Sequence, residues 1–337
     1  MVGGVIVISY LLAFVMPSNM GRIALLMPVV GALAKRAGIK EGSRGWIGLA
    51  LAVGFGTFQL SASILPANVP NLVLTGAAET AYGMHPGYLP WLFLQAPVVG
   101  LLKGALLTLC ICRLFPARPA AVIRADATTP ISREERRLMA LLLVTLLLWM
   151  TDSLHGVSPA WVGLCAACFC LLPRVGFVSS EAFASGVNFR TCLYVAAILG
   201  VTAVVVDSGL GDLIARGLLR VTPLDPATPF ANFLSLSAIT GLLNFVVTAN
   251  GVPAMFTPMA QSFADASGFP LASVIMLQVL AYATPLLPYQ ASPVVLAMAL
   301  GNVPARDGLR LCLSVALISL LLLFPLYYGW FCLLGYL

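Results

Sequence analysis

The chain alternates long apolar runs with short polar interruptions, and two interruptions fall where the flanking pattern reads as membrane helix. Residues 2–16 and 23–34 are apolar arms around Met16-Pro17-Ser18-Asn19-Met20-Gly21-Arg22. Each arm is shorter than the about 20 residues a helix needs to cross roughly 30 Å of hydrocarbon, so a re-entrant hairpin fits better than two spans. Residues 229–247 and 252–264 flank Thr248-Ala249-Asn250-Gly251-Val252-Pro253 in the same way. In each copy a proline stands ten positions after the first hydroxyl residue of the tip: Pro28 after Ser18, Pro258 after Thr248. Each tip is followed by a second polar break. Leu65-Pro66-Ala67-Asn68-Val69-Pro70-Asn71 lies between apolar residues 46–60 and 72–78, and Leu287-Pro288-Tyr289-Gln290-Ala291-Ser292-Pro293 between 271–286 and 294–301. The order of tip and broken helix therefore occurs twice, offset by 230 from Ser18 to Thr248 and by 222 from Pro66 to Pro288. A repeated pair of interrupted hydrophobic segments is the sequence pointer to a transporter's binding site.

The remaining pattern fills in the spans. Residues 89–112 predict a full crossing, and 113–137 form the one sizeable hydrophilic loop. That loop ends in Ser132-Arg133-Glu134-Glu135, a capping-box pattern that starts the next helix. Further spans are predicted at 137–151, 157–173, 190–206 and 309–335. Asp207, Asp212, Arg216 and Arg220 recur at helical spacing and predict an amphipathic surface helix over 207–220. The expected division is a first repeat at 1–115, a cytoplasmic loop at 116–136 and a second repeat at 137–337.

Composition makes the membrane assignment firm. Of 337 residues 60% are hydrophobic and 9% charged, with a mean hydropathy of +1.00, which no soluble domain of this length requires. The net charge of +6 would suggest nucleic acid only if the bases shared a soluble face, and they sit in short loops instead. Loops 35–45, 113–137, 174–190 and 302–310 hold 14 of the 18 Lys and Arg residues; the opposite side holds Arg216 and Arg220, while Arg22 and Lys103 lie within membrane segments. This bias places the four loops in the cytoplasm, so the first hairpin opens inward and the second outward. The eight cysteines include Cys165-x-x-Cys168, but that pair sits in an apolar run without a His or a second pair, so packing explains it. The N-terminus lacks a basic region and a small-residue cleavage site, so no cleavable signal peptide is expected.

No Asp or Glu falls in the middle of a span, and His85 and His155 fall in outer loops. Proton relays need such groups at depth, so the coupling ion shifts from H⁺ toward Na⁺. The chain has no H-E-x-x-H, no intramembrane acid pair and no Ser/His pairing at depth, which argues against an enzyme. Non-helical backbone at membrane depth survives only inside protein or along a watery cavity. There, helix N-termini suit an anion, and freed carbonyls with Ser, Thr and Asn oxygens suit Na⁺. The candidate substrate residues are Ser18, Asn19, Met20, Arg22, Thr248, Asn250, Pro288 and Gln290. The candidate ion ligands are Ser18, Asn19, Asn68, Asn71, Thr248, Asn250, Thr284 and Ser292. Met20 reads as a pocket wall; Arg22 either pairs with a substrate carboxylate or caps a buried carbonyl. No cofactor is expected beyond Na⁺ as coupling ion.

At these residues the chain resembles the divalent anion:sodium symporter family of the ion transporter superfamily. That family carries Ser-Asn-Thr at each of two hairpin tips. Ser18-Asn19-Met20 matches two of the three positions, and the run Pro17 to Arg22 looks like the dicarboxylate and tricarboxylate translocator branch. Thr248-Ala249-Asn250 is a poorer copy, with Ala249 where the family has Asn. Ala283-Thr284-Pro285 with Pro288-Tyr289-Gln290 resembles the family's unwound segments, and Val187-Asn188-Phe189-Arg190 through Ser208-Gly209-Leu210 its helix before the second hairpin. The resemblance implies an all-α inner-membrane protein of inverted repeats with two re-entrant hairpins and two broken helices. It implies Na⁺-coupled symport of a di- or tricarboxylate or a sulfate-like anion by alternating access, and a homodimer where the scaffold is complete. Three spans (137–206) precede the second hairpin, whereas the first half begins almost at its own, so N-terminal scaffold helices are expected to be missing. The alternative expectations are a transport-inactive fragment or structural or regulatory subunit, and a proton-coupled anion permease or exchanger.

Overall fold

The structure, a computed structural model, describes residues 1–117, 131–173, 176–187, 189–222 and 224–337, with the side chain of Thr191 outside the description. The described residues are helical throughout and contain no strand. Most of the polar loop at 116–136 lies outside them.

The first repeat opens with α1 (Val2–Val15) and α2 (Asn19–Arg36), joined by residues 16–18 and packed on one another. Ser18 caps α2: its Oγ accepts from the Gly21 N–H at 3.1 Å. Helix α3 (Arg44–Ser61) runs into a break holding a 3₁₀ turn at Leu65–Ala67, and α4 (Val69–Tyr82) resumes beyond it. Helix α4 starts before the predicted residue 72 because Pro70, with no N–H to place, suits a first helical turn. Helices α5 (Tyr88–Gln95) and α6 (Lys103–Leu114) are halves of one span joined by a π turn at Ala96–Leu102.

The second part begins with α7 (Arg133–Met150), whose predicted capping box is present. The Glu135 N–H donates to Ser132 Oγ at 3.1 Å, and the Ser132 N–H donates to Glu135 Oε2 at 2.7 Å. These bonds hold the Glu135 carboxyl below the usual carboxylate range. Then come α8 (Asp152–His155), α9 (Pro159–Leu171), α10 (Ser180–Gly186), α11 (Phe189–Asp207) and α12 (Leu210–Val221). Gly209 at φ 67° ends α11, and Leu210–Val221 turns 76° away from Cys192–Asp207. The short helices α8 and α10 had no sequence signal.

Helix α13 (Pro229–Phe256) is interrupted at Thr248 (φ 59°, ψ 170°) and leads through a 3₁₀ turn at Thr257–Met259 to α14 (Ala260–Ser267). The second tip is thus narrower than the predicted polar segment 248–253: helix resumes right after Thr248 and carries Pro253 within it. Helix α15 (Leu271–Tyr282) stops four residues before the predicted 286, because Pro285 disfavours helical backbone at Thr284. After a 3₁₀ turn at Pro288–Gln290, α16 (Ser292–Leu300) resumes. Helices α17 (Ala305–Ile318) and α18 (Phe324–Leu333) close the chain around a π turn at Ser319–Leu323. Among the described residues, Tyr88–Leu114, Pro229–Ser267 and Ala305–Leu333 are each long and apolar enough to cross a membrane, and Cys192–Asp207 with Leu210–Val221 reaches that length when the bent pair is counted as one span. The protein is an all-α polytopic membrane protein.

Packing repeats the two-fold order. Helices α1 and α2 lie on α3, and α2 also reaches α16. Helix α13 lies on α15 and also reaches α4. Each interrupted segment therefore rests on the first half of its own broken helix and on the second half of the other. Helices α3 and α16 cross through small residues: a Cβ on Gly54 would stand 2.6 Å from Ala297 Cβ, and one on Gly301 2.6 Å from Ala50 Cβ. This small-residue spacing brings the two backbones together, as membrane helices do where side chains give way. Even the π turns repeat, since the first, moved by 222 positions, overlaps the second.

Candidate functional site: two helix breaks

The first break collects side chains from three elements. Asn19, at the start of α2, is buried and donates from Nδ2 to Asn68 Oδ1 at 2.8 Å; its Oδ1 accepts from Ser61 Oγ at 3.0 Å and from Arg22 Nη2. Arg22 is fully buried, and the same Nη2 reaches Ala67 O at 3.1 Å and Thr57 O at 3.4 Å. A guanidinium here satisfies carbonyls that the broken ladder leaves without partners. Its Nε and Nη1 have no partner. Asn68 Nδ2 donates to Phe58 O at 3.3 Å, and Asn71 Nδ2 to Ile64 O at 2.9 Å and Ala62 O at 3.2 Å. Trp91 Nε1 also donates to Ala62 O, at 3.1 Å.

The second break is sparer. Gln290 Oε1 accepts from the N–H groups of Leu286 at 2.7 Å and Leu287 at 2.9 Å, so the side chain bridges its own loop. Thr284 Oγ1 donates to Leu280 O and accepts from Lys103 Nζ at 2.6 Å, and that Nζ also reaches Ala283 O at 2.7 Å. The exposed Tyr289 donates to Phe245 O at 3.2 Å, tying the break to α13 just before Thr248. The breaks are joined directly, since Tyr282 OH donates to Asn71 Oδ1 at 2.7 Å.

The predicted residues separate accordingly. Asn19, Arg22, Asn68 and Asn71 come together at the first break, with Ser18 and Met20 exposed beside it at the tip. Thr284 and Gln290 lie within the second break, Pro288 is half-buried in it and Ser292 is exposed at the start of α16. Thr248 and Asn250 are half-buried, and their side chains make no hydrogen bond. Ala249 is buried and packs into the core. Thr248 is a β-branched residue at positive φ, a conformation that costs about 1–3 kcal/mol and persists where the surroundings enforce it. Sequence reasoning missed Ser61, Tyr282 and Lys103 as members of this centre. It also missed Gln59 and Asn244, buried amides with no partner on either atom. The available signal was an amide or a base inside an apolar run.

What this arrangement offers is a buried polar centre at two non-helical breaks, with two basic side chains in it and, among the described residues, no carboxylate bonded to either. The sequence matches the family described as the sodium:sulfate symporter transmembrane region, over residues 2–337. The chain belongs to that family. It is a transporter family, and the apolar helices make the chain a multi-pass membrane protein. The chain is also 22% identical over 266 residues to a protein of Cupriavidus necator called simply a membrane protein, covering 76% of this chain and 52% of that one. It thus spans about half the length of the curated relative it matches.

Proposed function

We propose that the protein carries a divalent oxyanion, a sulfate or a di- or tricarboxylate, across the inner membrane by alternating access, driven by Na⁺. The observation that carries the anion part is Arg22: a guanidinium held at membrane depth, with two nitrogens unpaired and no carboxylate beside it. Basic groups at such depth mark ligand pathways and need a countercharge. A guanidinium matches the planar or tetrahedral oxygens of a carboxylate or sulfate. Sodium coupling is supported by the family and by the scarcity of acids inside the spans. Moving a dianion inward against a potential of about 100 mV costs about 4.6 kcal/mol, of which each Na⁺ moving with it offsets about 2.3.

The site residues divide by availability. Arg22, Asn19 and Ser18 face the anion from the first tip, with Met20 as an apolar wall, and Gln290 and Pro288 shape the opposite side. Thr248 and Asn250, whose oxygens have no partners, are the ligands best placed to take Na⁺; Asn68, Asn71 and Thr284 hold the breaks in shape around them. In this reading the two tips belong to re-entrant hairpins of opposite orientation. Purified protein in liposomes tests it: an inward Na⁺ gradient should accumulate labelled sulfate or succinate, and K⁺ should not replace Na⁺. Uptake that follows a proton gradient without Na⁺, or no uptake of any anion, would reject the proposal. The last result would favour a structural subunit.

A further inference from the structure

Lys103 sits at membrane depth with its side chain fully buried, and the proposed anion path makes no use of it. It is the first residue after the π turn at Ala96–Leu102, and single π turns recur at functional positions because they re-aim the residues that follow. Its Nζ spans from one repeat to the other and contacts Ala283 O at 2.7 Å and Thr284 Oγ1 at 2.6 Å. Those oxygens close the C-terminal end of α15, where the last carbonyls lack helical partners and the dipole is negative. A main-chain carbonyl and a threonine hydroxyl at a helix break are the oxygens a Na⁺ would take. Among the described residues these two oxygens are the ammonium's partners, with no carboxylate beside them. A mere cap would not need charge: Gln290 closes the same break with a neutral amide. Nor does Lys103 belong to a scaffold shared by both copies. The matching π turn, Ser319–Leu323, is followed 222 positions on from Lys103 by Pro325.

We propose that Lys103 is a tethered cation: its ammonium occupies the second break in place of a coupling Na⁺ and gives the transported anion a fixed positive charge. This rests on the sodium-symport reading above and changes its stoichiometry. With the second break filled, the Na⁺ left to the carrier is the one at Thr248 and Asn250, so it takes up no more than one Na⁺ per anion. Because the ammonium cannot leave, the anion-free carrier keeps its charge when it reorients.

The test compares stabilisation by Na⁺ alone, with choline as control, in the purified full chain, Lys103→Ala and Lys103→Met. Removing the ammonium and leaving room should create a Na⁺ site, so Lys103→Ala should gain a Na⁺-dependent rise in Tm beyond that of the native protein. Lys103→Met fills the space with apolar atoms and should show no such gain. A Lys103→Ala protein that Na⁺ stabilises no more than it does the native chain overturns the proposal. Should Lys103→Ala fail to fold, the native protein decides by its reversal potential in liposomes. A ratio of one Na⁺ or fewer per anion supports the tethered cation, and two or more overturns it. Anion transport with no Na⁺ dependence would reject the symport reading alone, and the Tm comparison would still report on Lys103.

Discussion

At the first helix break the freed backbone groups are met from several directions: Asn68 and Asn71 from within, Arg22 from the tip, Trp91 from the next span. At the second, Gln290 works within its own loop and one distant lysine holds the end of α15. The tips differ in the same sense. Ser18 caps its helix, while Thr248 holds a strained backbone and its hydroxyl makes no hydrogen bond among the described residues. Two copies of one topology have thus been given different jobs. The first break is a dense polar node in which Asn19, Asn68 and Asn71 are all bonded while Arg22 Nε and Nη1 stay open, and densely bonded polar networks are rigid. The second tip keeps uncommitted oxygens and a strained backbone at Thr248, and strained residues cluster at places that switch.

The largest effect expected from breaking this contrast is at Arg22. Arg22→Met removes the donor for Asn19 Oδ1, Thr57 O and Ala67 O, and hydrogen bonds from charged groups are worth about 1.5–3 kcal/mol each. Its Tm in detergent should fall further than for any single change at the second break, and anion uptake should disappear. Gln290→Ala comes next. It leaves the Leu286 and Leu287 N–H groups unmatched, at about 1–3 kcal/mol apiece, and faster hydrogen exchange should appear at those amides but not at the first break. A sharper comparison uses opposite signs. Thr248→Gly should raise Tm by relieving about 1–3 kcal/mol of backbone strain while weakening Na⁺-dependent uptake. Ser18→Ala should lower Tm through loss of a cap worth about 1 kcal/mol. Equal signs would show that the tips are equivalent after all. The smallest effect belongs to Tyr282→Phe, which deletes one neutral hydrogen bond between the breaks, worth about 0.5–1.5 kcal/mol. A loss of uptake much larger than that fall in Tm would mean that the link times the two breaks together.

Much of this was legible because prolines and amides inside apolar runs have few explanations. Pro66, Pro70, Pro285 and Pro288 locate both breaks, and Ser132 with Glu135 locates the start of α7. The boundaries slipped where a local rule competed with hydrophobic pattern, as at Pro70 and Pro285. The second tip misled for a different reason. Asn250, Gly251 and Pro253 look like turn residues, but one residue of unusual backbone sufficed, and the rest joined the helix. Lys103 was visible as a charge within a span, yet its partner stands 180 residues away, and no local pattern reports a contact of that length. The difference between Asn68 and Asn71, three residues apart in one motif, is likewise set by what the other repeat brings to them.

The crossing of α3 and α16 has a kinematic consequence. Packed helices ordinarily slide past one another by letting side chains re-nest, a small shear that the intervening layer absorbs. Between Gly54 and Ala297, and between Ala50 and Gly301, there is hardly any such layer. The two helices come from different repeats and each borders a different break, so the molecule has one internal joint fewer than its topology suggests. Whatever displaces one break carries the other with it, through a contact made of small side chains and backbone alone.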